Sequence, residues 1–253
     1  ASAAMEVGEW DLAVREITLA RDESPDELAA SNMRWVLLTF SALRGDDVTA
    51  ELAHLSAWAE SIGESGPREA MADLRAQVDF GTGKFAAACD GWLVYAPSDR
   101  LNAPAAYFYA GLAGLLAGDH DRAAAALAGL DATPGRSRMR ALDRRLLSAG
   151  LAAIAGRRSD SIRDVRAVLA EYAAIGLPWR EALGGLVLTS LVGAGDTDVQ
   201  EMADTARATF SRLGAKPFVA YLDAALAGST KPSSEPKRPP QAVVPDKDAA
   251  LTT

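Results

Sequence analysis

The segment that comes nearest to a chemical motif is Phe80-Gly81-Thr82-Gly83-Lys84. A glycine-rich loop ending in lysine can wrap phosphate oxygens in backbone N–H groups. That motif needs an earlier glycine, four residues ahead of the Gly-Lys pair, and a Ser or Thr directly after it. Val78 and Phe85 hold those places, so the segment reads as an ordinary turn between helices. His54 and His120 are the only histidines, and neither has a Cys or His at metal-ligand spacing. His120 follows Gly118 at the interval at which Trp10 follows Gly8 and Phe85 follows Gly83, so it is expected to pack rather than to ligate. The single cysteine, Cys89, lies beside Ala86–Ala88 with no histidine in its helix. It is expected to be buried and inert, and one cysteine excludes an internal disulfide. Arg136, Arg138, Arg140, Arg144 and Arg145 form one basic cluster. Helical spacing splits it between two faces, so it is expected to be a solvated helix start rather than a phosphate fork. With no metal motif, no Ser/His/Asp set and no phosphate loop, the chain is expected to be non-catalytic and to carry no cofactor.

The bulk composition narrows the partners. The 253 residues carry a net charge of −8, a field that opposes nucleic acid and anionic membrane surfaces. The longest apolar run, Ala182–Ala194, falls short of the roughly 20 residues that span a bilayer. The start, Ala1-Ser2-Ala3-Ala4, has neither the basic end nor the apolar core of a signal peptide. It reads as a cut from a longer protein, and the expected location is cytoplasmic.

The elements that must position any site are revealed by a repeat. Gly8-Glu-Trp-Asp-Leu-Ala13, Gly45-Asp-Asp-Val-Thr-Ala50, Gly83-Lys-Phe-Ala-Ala-Ala88 and Gly118-Asp-His-Asp-Arg-Ala123 each place a small residue five after a glycine. Gly156–Ser161 and Gly195–Gln200 are weaker copies, and the glycines fall 35 to 39 residues apart. A helix that stops, reverses and packs on its successor needs this pattern. Glycine takes the left-handed conformation, an Asp after it caps the next helix, and the small residue lets the two helices approach. Pro25, Pro67, Pro104, Pro178 and Pro217 fall at the expected helix starts. Helices are predicted at 9–22, 26–43, 48–61, 67–80, 84–95, 103–117, 119–130, 136–155, 159–175, 178–192, 196–213 and 217–227. Residues 228–253, with Lys231-Pro-Ser-Ser-Glu-Pro-Lys-Arg-Pro-Pro240, are too poor in large apolar side chains to offset ordering entropy. They are expected to form a disordered, Pro-rich tail behind a helical domain at 1–227.

The fourth repeat, Ala106-Tyr-Phe-Tyr-Ala-Gly111-Leu-Ala-Gly114-Leu-Leu-Ala-Gly118-Asp-His-Asp-Arg-Ala123, resembles the tetratricopeptide repeat. Ala76 and Gly111 take the close-packing site seven before the turn glycine, and Ala20 and Ala57 the matching site twelve after it. The closing segment from Ala206 to Leu226 is similar to the end of the C-terminal helical region of large bacterial signalling ATPase regulators, LuxR-type or cyclase-linked. The resemblance implies an all-α, right-handed superhelical solenoid of about six antiparallel hairpins plus a C-terminal capping helix. It also implies a regulatory or sensor arm acting by protein–protein interaction. Where LuxR-type members continue into a DNA-binding domain this chain continues into its Pro-rich segment, so no direct contact with nucleic acid is expected.

In such a solenoid the first helix of each pair lines a concave groove. That places Asn32, Trp35 and Thr39, then Asp73 and Gln77, then Phe108 and Leu112 along the surface expected to receive a protein or peptide partner. The alternative is a small-molecule inducer enclosed by the apolar inner face, with Phe108, Leu112 and Leu146 around it.

Overall fold

The computed structural model describes residues 2–62, 65–135 and 137–228, all of its regular structure helical. Thirteen helices follow in order. They are α1 (Ser2–Val7), α2 (Trp10–Glu23), α3 (Glu27–Arg44), α4 (Thr49–Ile62), α5 (Ser65–Gly81), α6 (Phe85–Tyr95) and α7 (Ala103–Leu116). Then come α8 (His120–Ala132), α9 (Arg138–Ile154), α10 (Arg158–Ala174), α11 (Pro178–Val192), α12 (Thr197–Leu213) and α13 (Lys216–Leu226). The predicted Pro-rich tail beyond Gly228, and Arg136, lie outside the described residues.

The turns explain these boundaries. Gly8, Gly45, Gly83, Gly118 and Gly156 all have positive φ. Asp119 caps α8 by accepting from Arg122 N at 3.0 Å, and Asp26 caps α3 through Leu28 N at 2.9 Å. The sixth turn departs from expectation. Gly193 (φ 77°), not Gly195, takes the positive φ, and Asp196 caps α12 two residues later through Asp198 N at 2.9 Å. The loop has four residues, as does the one after α3, against two or three in the other copies, and Val199, not Gln200, supplies the buried residue at the start of α12.

Packing follows the small residues where they stand. Ala13, Ala88 and Ala123 are buried as expected. A Cβ on Gly114 would lie 2.8 Å from Ala123 N, so α7 and α8 meet nearly backbone to backbone. Ala50 is exposed instead, because α4 begins four residues after its turn glycine and Val48 enters the core in its stead. Ala20 and Ala57 are exposed too, and α4 buries Leu55 and Ala59. His120 is likewise exposed, with Nδ1 3.4 Å from Asp121 Oδ1. It does not pack as Trp10 does.

Successive helices pack on one another from α5 to α12, but the chain also closes on itself: α1 meets α11, α13 meets α3, and α7 meets both α9 and α11. Three turns rest against the last two helices. Gly8 lies under Arg212, Gly45 against Pro217 and Gly83 against Tyr221, where added Cβ atoms would come within 3.1, 2.9 and 2.8 Å. Arg44 Nε donates to Leu213 O (3.2 Å), and Tyr221 OH donates to Gly81 O (3.0 Å). One large core results, with a smaller cluster of Leu38, Leu55, Met71 and Leu74 between α3, α4 and α5.

The Gly114 contact gives a direct test. An alanine in a helix gains about 1 kcal/mol of propensity over glycine. Here the methyl group presses on the backbone and Cβ of Ala123, neither of which can swing aside, and overpacking costs about 1–3 kcal/mol. Gly114→Ala is expected to lower the melting temperature by several degrees in a circular-dichroism melt, at about 2–4 °C per kcal/mol. An unchanged or raised value would refute the close contact.

Candidate functional site

Three side chains on α5 fall on one face by helical spacing: Asp73, Gln77 and Phe80. On α6, Trp92 and Tyr95 do the same, and α7 presents Ala105, Ala106 and Tyr109. These faces converge with Trp35 and Leu43 of α3, Met5 and Glu6 of α1 and Trp179 of α11 around a cavity of about 220 Å³. α6 comes close to α5 because Gly91 sits on Ala76, where a Cβ would lie 3.1 Å from the methyl group. That approach carries Trp92 over Asp73.

Asp73 is the polar centre of the cavity. Its Oδ1 accepts from Trp92 Nε1 at 2.8 Å and its Oδ2 from Gln77 Nε2 at 2.6 Å. Neither donor is a cation, and no Lys, Arg or His lines the cavity. Burial therefore pushes its carboxyl up to about 6 against the pull of the two hydrogen bonds. Two indole N–H groups among the lining residues, Trp35 Nε1 and Trp179 Nε1, are buried without a hydrogen-bond partner. Trp179 Nε1 is turned toward the Tyr109 hydroxyl without reaching hydrogen-bonding geometry. At the rim, Tyr95 OH donates to Asp99 Oδ2 (2.8 Å), and Asp99 also accepts from Leu101 N and Asn102 N to start α7.

A buried ion network forms the far wall. Arg180 of α11 is 1% exposed. Its Nε donates to Glu6 Oε2 at 2.9 Å and its Nη1 to Asp143 Oδ1 at 2.5 Å. The guanidinium lies 4.3 Å above the Phe108 ring. Tyr172 OH donates to Asp143 Oδ1 (2.6 Å), and Tyr109 OH to Glu6 Oε1 (2.8 Å). Burial works against the charge of Arg180, but Asp143 and Glu6 together hold its proton more tightly than water would. Burial raises the Asp143 carboxyl above its ordinary range despite Arg180 and Tyr172.

Of the residues expected along a groove, Trp35, Asp73 and Gln77 line the cavity. Asn32 is exposed one turn before Trp35. Thr39 is buried, its hydroxyl donating to Trp35 O (3.2 Å). Phe108 and Leu112 are fully buried, as is Leu146. They form core, not an open surface, because α11 covers that face of α7. One residue on, Tyr109 reaches the cavity. Of its neighbours in the cavity wall, Trp92 and Tyr95 lie on α6, a second helix that the repeat register did not assign to the groove, while Glu6 and Trp179 lie on first helices, α1 and α11, at positions not singled out. The spacing of Asn102, at the start of α7, from Ala105 and Tyr109 on it was the available signal for Tyr109.

The remaining candidates have local explanations. Arg140 is buried and caps the end of α8, donating to Leu130 O (2.6 Å) and Pro134 O (2.8 Å). Arg144 pairs with Asp131 and Arg145 with Glu171, both at 2.5 Å. Burial pushes the Cys89 thiol up to about 12, which leaves it protonated at neutral pH. Gly81–Lys84 is a helix-ending turn, with Lys84 Nζ 3.4 Å from Asp79. Among the described residues no group of three or more His, Cys, Asp and Glu comes together as a metal site, and no helix is long and apolar enough to cross a membrane.

Two variants probe the site. Arg180→Met leaves Glu6 and Asp143 enclosed without a cation. It is expected to destabilise the fold by about 3–5 kcal/mol, read from urea unfolding at pH 7, and a change under about 1 kcal/mol would mean that the network carries little. For Asp73, an unfolded aspartate titrates near 4, and the folded group near 6. The folded state therefore binds more protons in that window, so its stability is full below about 4 and falls as pH rises through about 6, by on the order of 3 kcal/mol. Asp73→Asn is expected to melt with the native chain near pH 4 and above it at pH 7.5. Parallel melting curves across that range would count against the buried, uncompensated carboxylate.

No protein-family model matches the chain, and no curated protein or solved structure is similar to it at a significant level.

Proposed function

We propose that this chain is a non-catalytic regulatory or sensor domain that binds a small molecule in the cavity between α1, α3, α5, α6, α7 and α11. The observation that carries this reading is the unmatched polarity of an aromatic-walled cavity: a carboxylate with no counter-cation among the residues around it. Ligand sites are concave, mostly apolar and fitted with a few placed polar groups. The succession of helix pairs joined at positive-φ glycines favours a right-handed superhelical repeat of about six hairpins with α13 as cap. Its resemblance to the helical arms of signalling ATPase regulators gives such binding a natural role: occupancy would set the stability of the closed arm, and the arm would report it to a cytoplasmic partner domain.

A second reading has a protein or peptide partner inserting one side chain from outside. Asn32, exposed one turn before Trp35, would be its polar contact at the rim.

The test is a small-molecule screen read by the fluorescence of Trp35 and Trp92, repeated on Ala105→Phe, which fills the cavity from the partly exposed side of α7. Compounds binding tighter than about 1 mM to the native chain are expected to lose at least tenfold in the filled variant. Hits that bind both proteins alike, or no hits at all, would refute the small-molecule reading. Loss of a peptide partner with Asn32→Ala, in a chain that binds no small molecule, would move the assignment to the second.

A further inference from the structure

We propose that the ligand of this cavity is a small organic cation, its ammonium group against Asp73. The inference rests on the cavity being a ligand site and adds the class of ligand. Charge balance is the first ground. The cavity and its far wall hold three carboxyls, Glu6, Asp73 and Asp143, and one guanidinium, Arg180. Arg180 is engaged by Glu6 and Asp143 together, which leaves Asp73 with only neutral donors, Trp92 Nε1 and Gln77 Nε2. Asp73 is half-buried in the cavity wall, and a partly desolvated carboxylate gains from an opposite charge. A cation entering the cavity supplies it.

The walls say which kind of cation. Trp35, Phe80, Trp92, Tyr95, Tyr109 and Trp179 put aromatic rings round the space, and ring faces attract a desolvated organic ammonium ion. A metal ion would need several oxygen ligands. Asp73 offers one carboxylate, while both oxygens of Glu6 are taken by Arg180 and Tyr109. With water's share of the liquid near 30 Å³, a cavity of about 220 Å³ admits roughly seven to ten non-hydrogen atoms. The groups that face Asp73 are Trp92 from α6, Gln77 on its own helix and Asp99 from the α6–α7 loop. Glu6, Tyr95 and Tyr109 share the cavity and none is basic. Binding of a cation therefore strengthens as Asp73 loses its proton near pH 6.

The test uses the full chain, two molecules of one shape, and butylammonium as a primary ammonium ion. Choline and 3,3-dimethylbutan-1-ol differ by a carbon in place of the charged nitrogen. Isothermal titration at pH 7.5 is expected to show choline binding at least tenfold more tightly than the alcohol. That preference is expected to vanish in Asp73→Asn and to weaken below pH 6, while the alcohol binds both proteins alike and so reports that the variant is folded. Equal affinity, or binding of the alcohol but of neither choline nor butylammonium, overturns the cation and leaves the ligand cavity standing. No binding of any of the three overturns the cation, and the fluorescence screen on the filled variant then decides the cavity itself. A preference for choline that survives Asp73→Asn also overturns the proposal, since the charge would be read elsewhere.

Discussion

Arg180 carries a full positive charge out of water, and the rest of the structure is arranged so that it can. A buried guanidinium is tolerable only if its donors are met and its charge is balanced. Glu6 comes from the first helix, Asp143 from α9, and the Phe108 ring from α7. Tyr172 and Tyr109 then hold the two carboxylates in place. Residues 174 positions apart are thereby bound together. The short helix α1, only six residues long, has little stability of its own. It gains its position from this contact and from Trp10, whose indole donates to Met5 O (3.0 Å) and whose ring packs edge-on against Trp179 at 4.9 Å.

Closure at the other end follows a different rule. Turns of helical hairpins usually face solvent, where a glycine needs only its backbone freedom. Here three of the turns lie beneath α12 and α13, and bare backbone is needed for a second reason: Arg212, Pro217 and Tyr221 occupy the space a side chain would take. One residue type thus serves both the reversal of the chain and its closure. The cavity is what remains where α1 and α11, brought in by Arg180, meet the inner faces of α3, α5, α6 and α7 without filling the space between them.

The helices were legible because their signals are local. Turn glycines, capping aspartates and N-terminal prolines act within a few residues, and the predicted spans agree with the observed ones to within about two residues at nearly every end. Register failed where a loop changed length. The extra residues after Gly45 and Gly193 shifted Val48 and Val199 into the places expected for Ala50 and Gln200. The groove was half legible for a related reason. Counting back from the turn glycine put Trp35, Asp73 and Gln77 on the right face, and those three line the cavity. The same count chose Phe108 and Leu112, but α11 covers that face of α7, and a neighbour about 100° round the helix, Tyr109, looks inward. Nothing local to α7 records the arrival of α11. Nor does any spacing pair Glu6 with Arg180.

Stability alone does not account for the polar content of this cavity. A space walled by Phe80, Trp92, Tyr109 and Trp179 is one that a leucine at position 73 would suit, and well-packed apolar replacements of buried ionic groups are often neutral or stabilising. The chain instead keeps a carboxylate whose ionisation is opposed by its surroundings. That opposition weighs against the folded state. A ligand that paired the carboxylate would recover it on binding and would hold α1, α5, α6 and α7 together in doing so. Binding would then tighten the same closure that Arg180 begins, because Glu6 belongs both to the ion network and to the cavity wall. The wall and the latch are one structure, so a ligand that entered the cavity would act on how firmly the first helix is held against the eleventh.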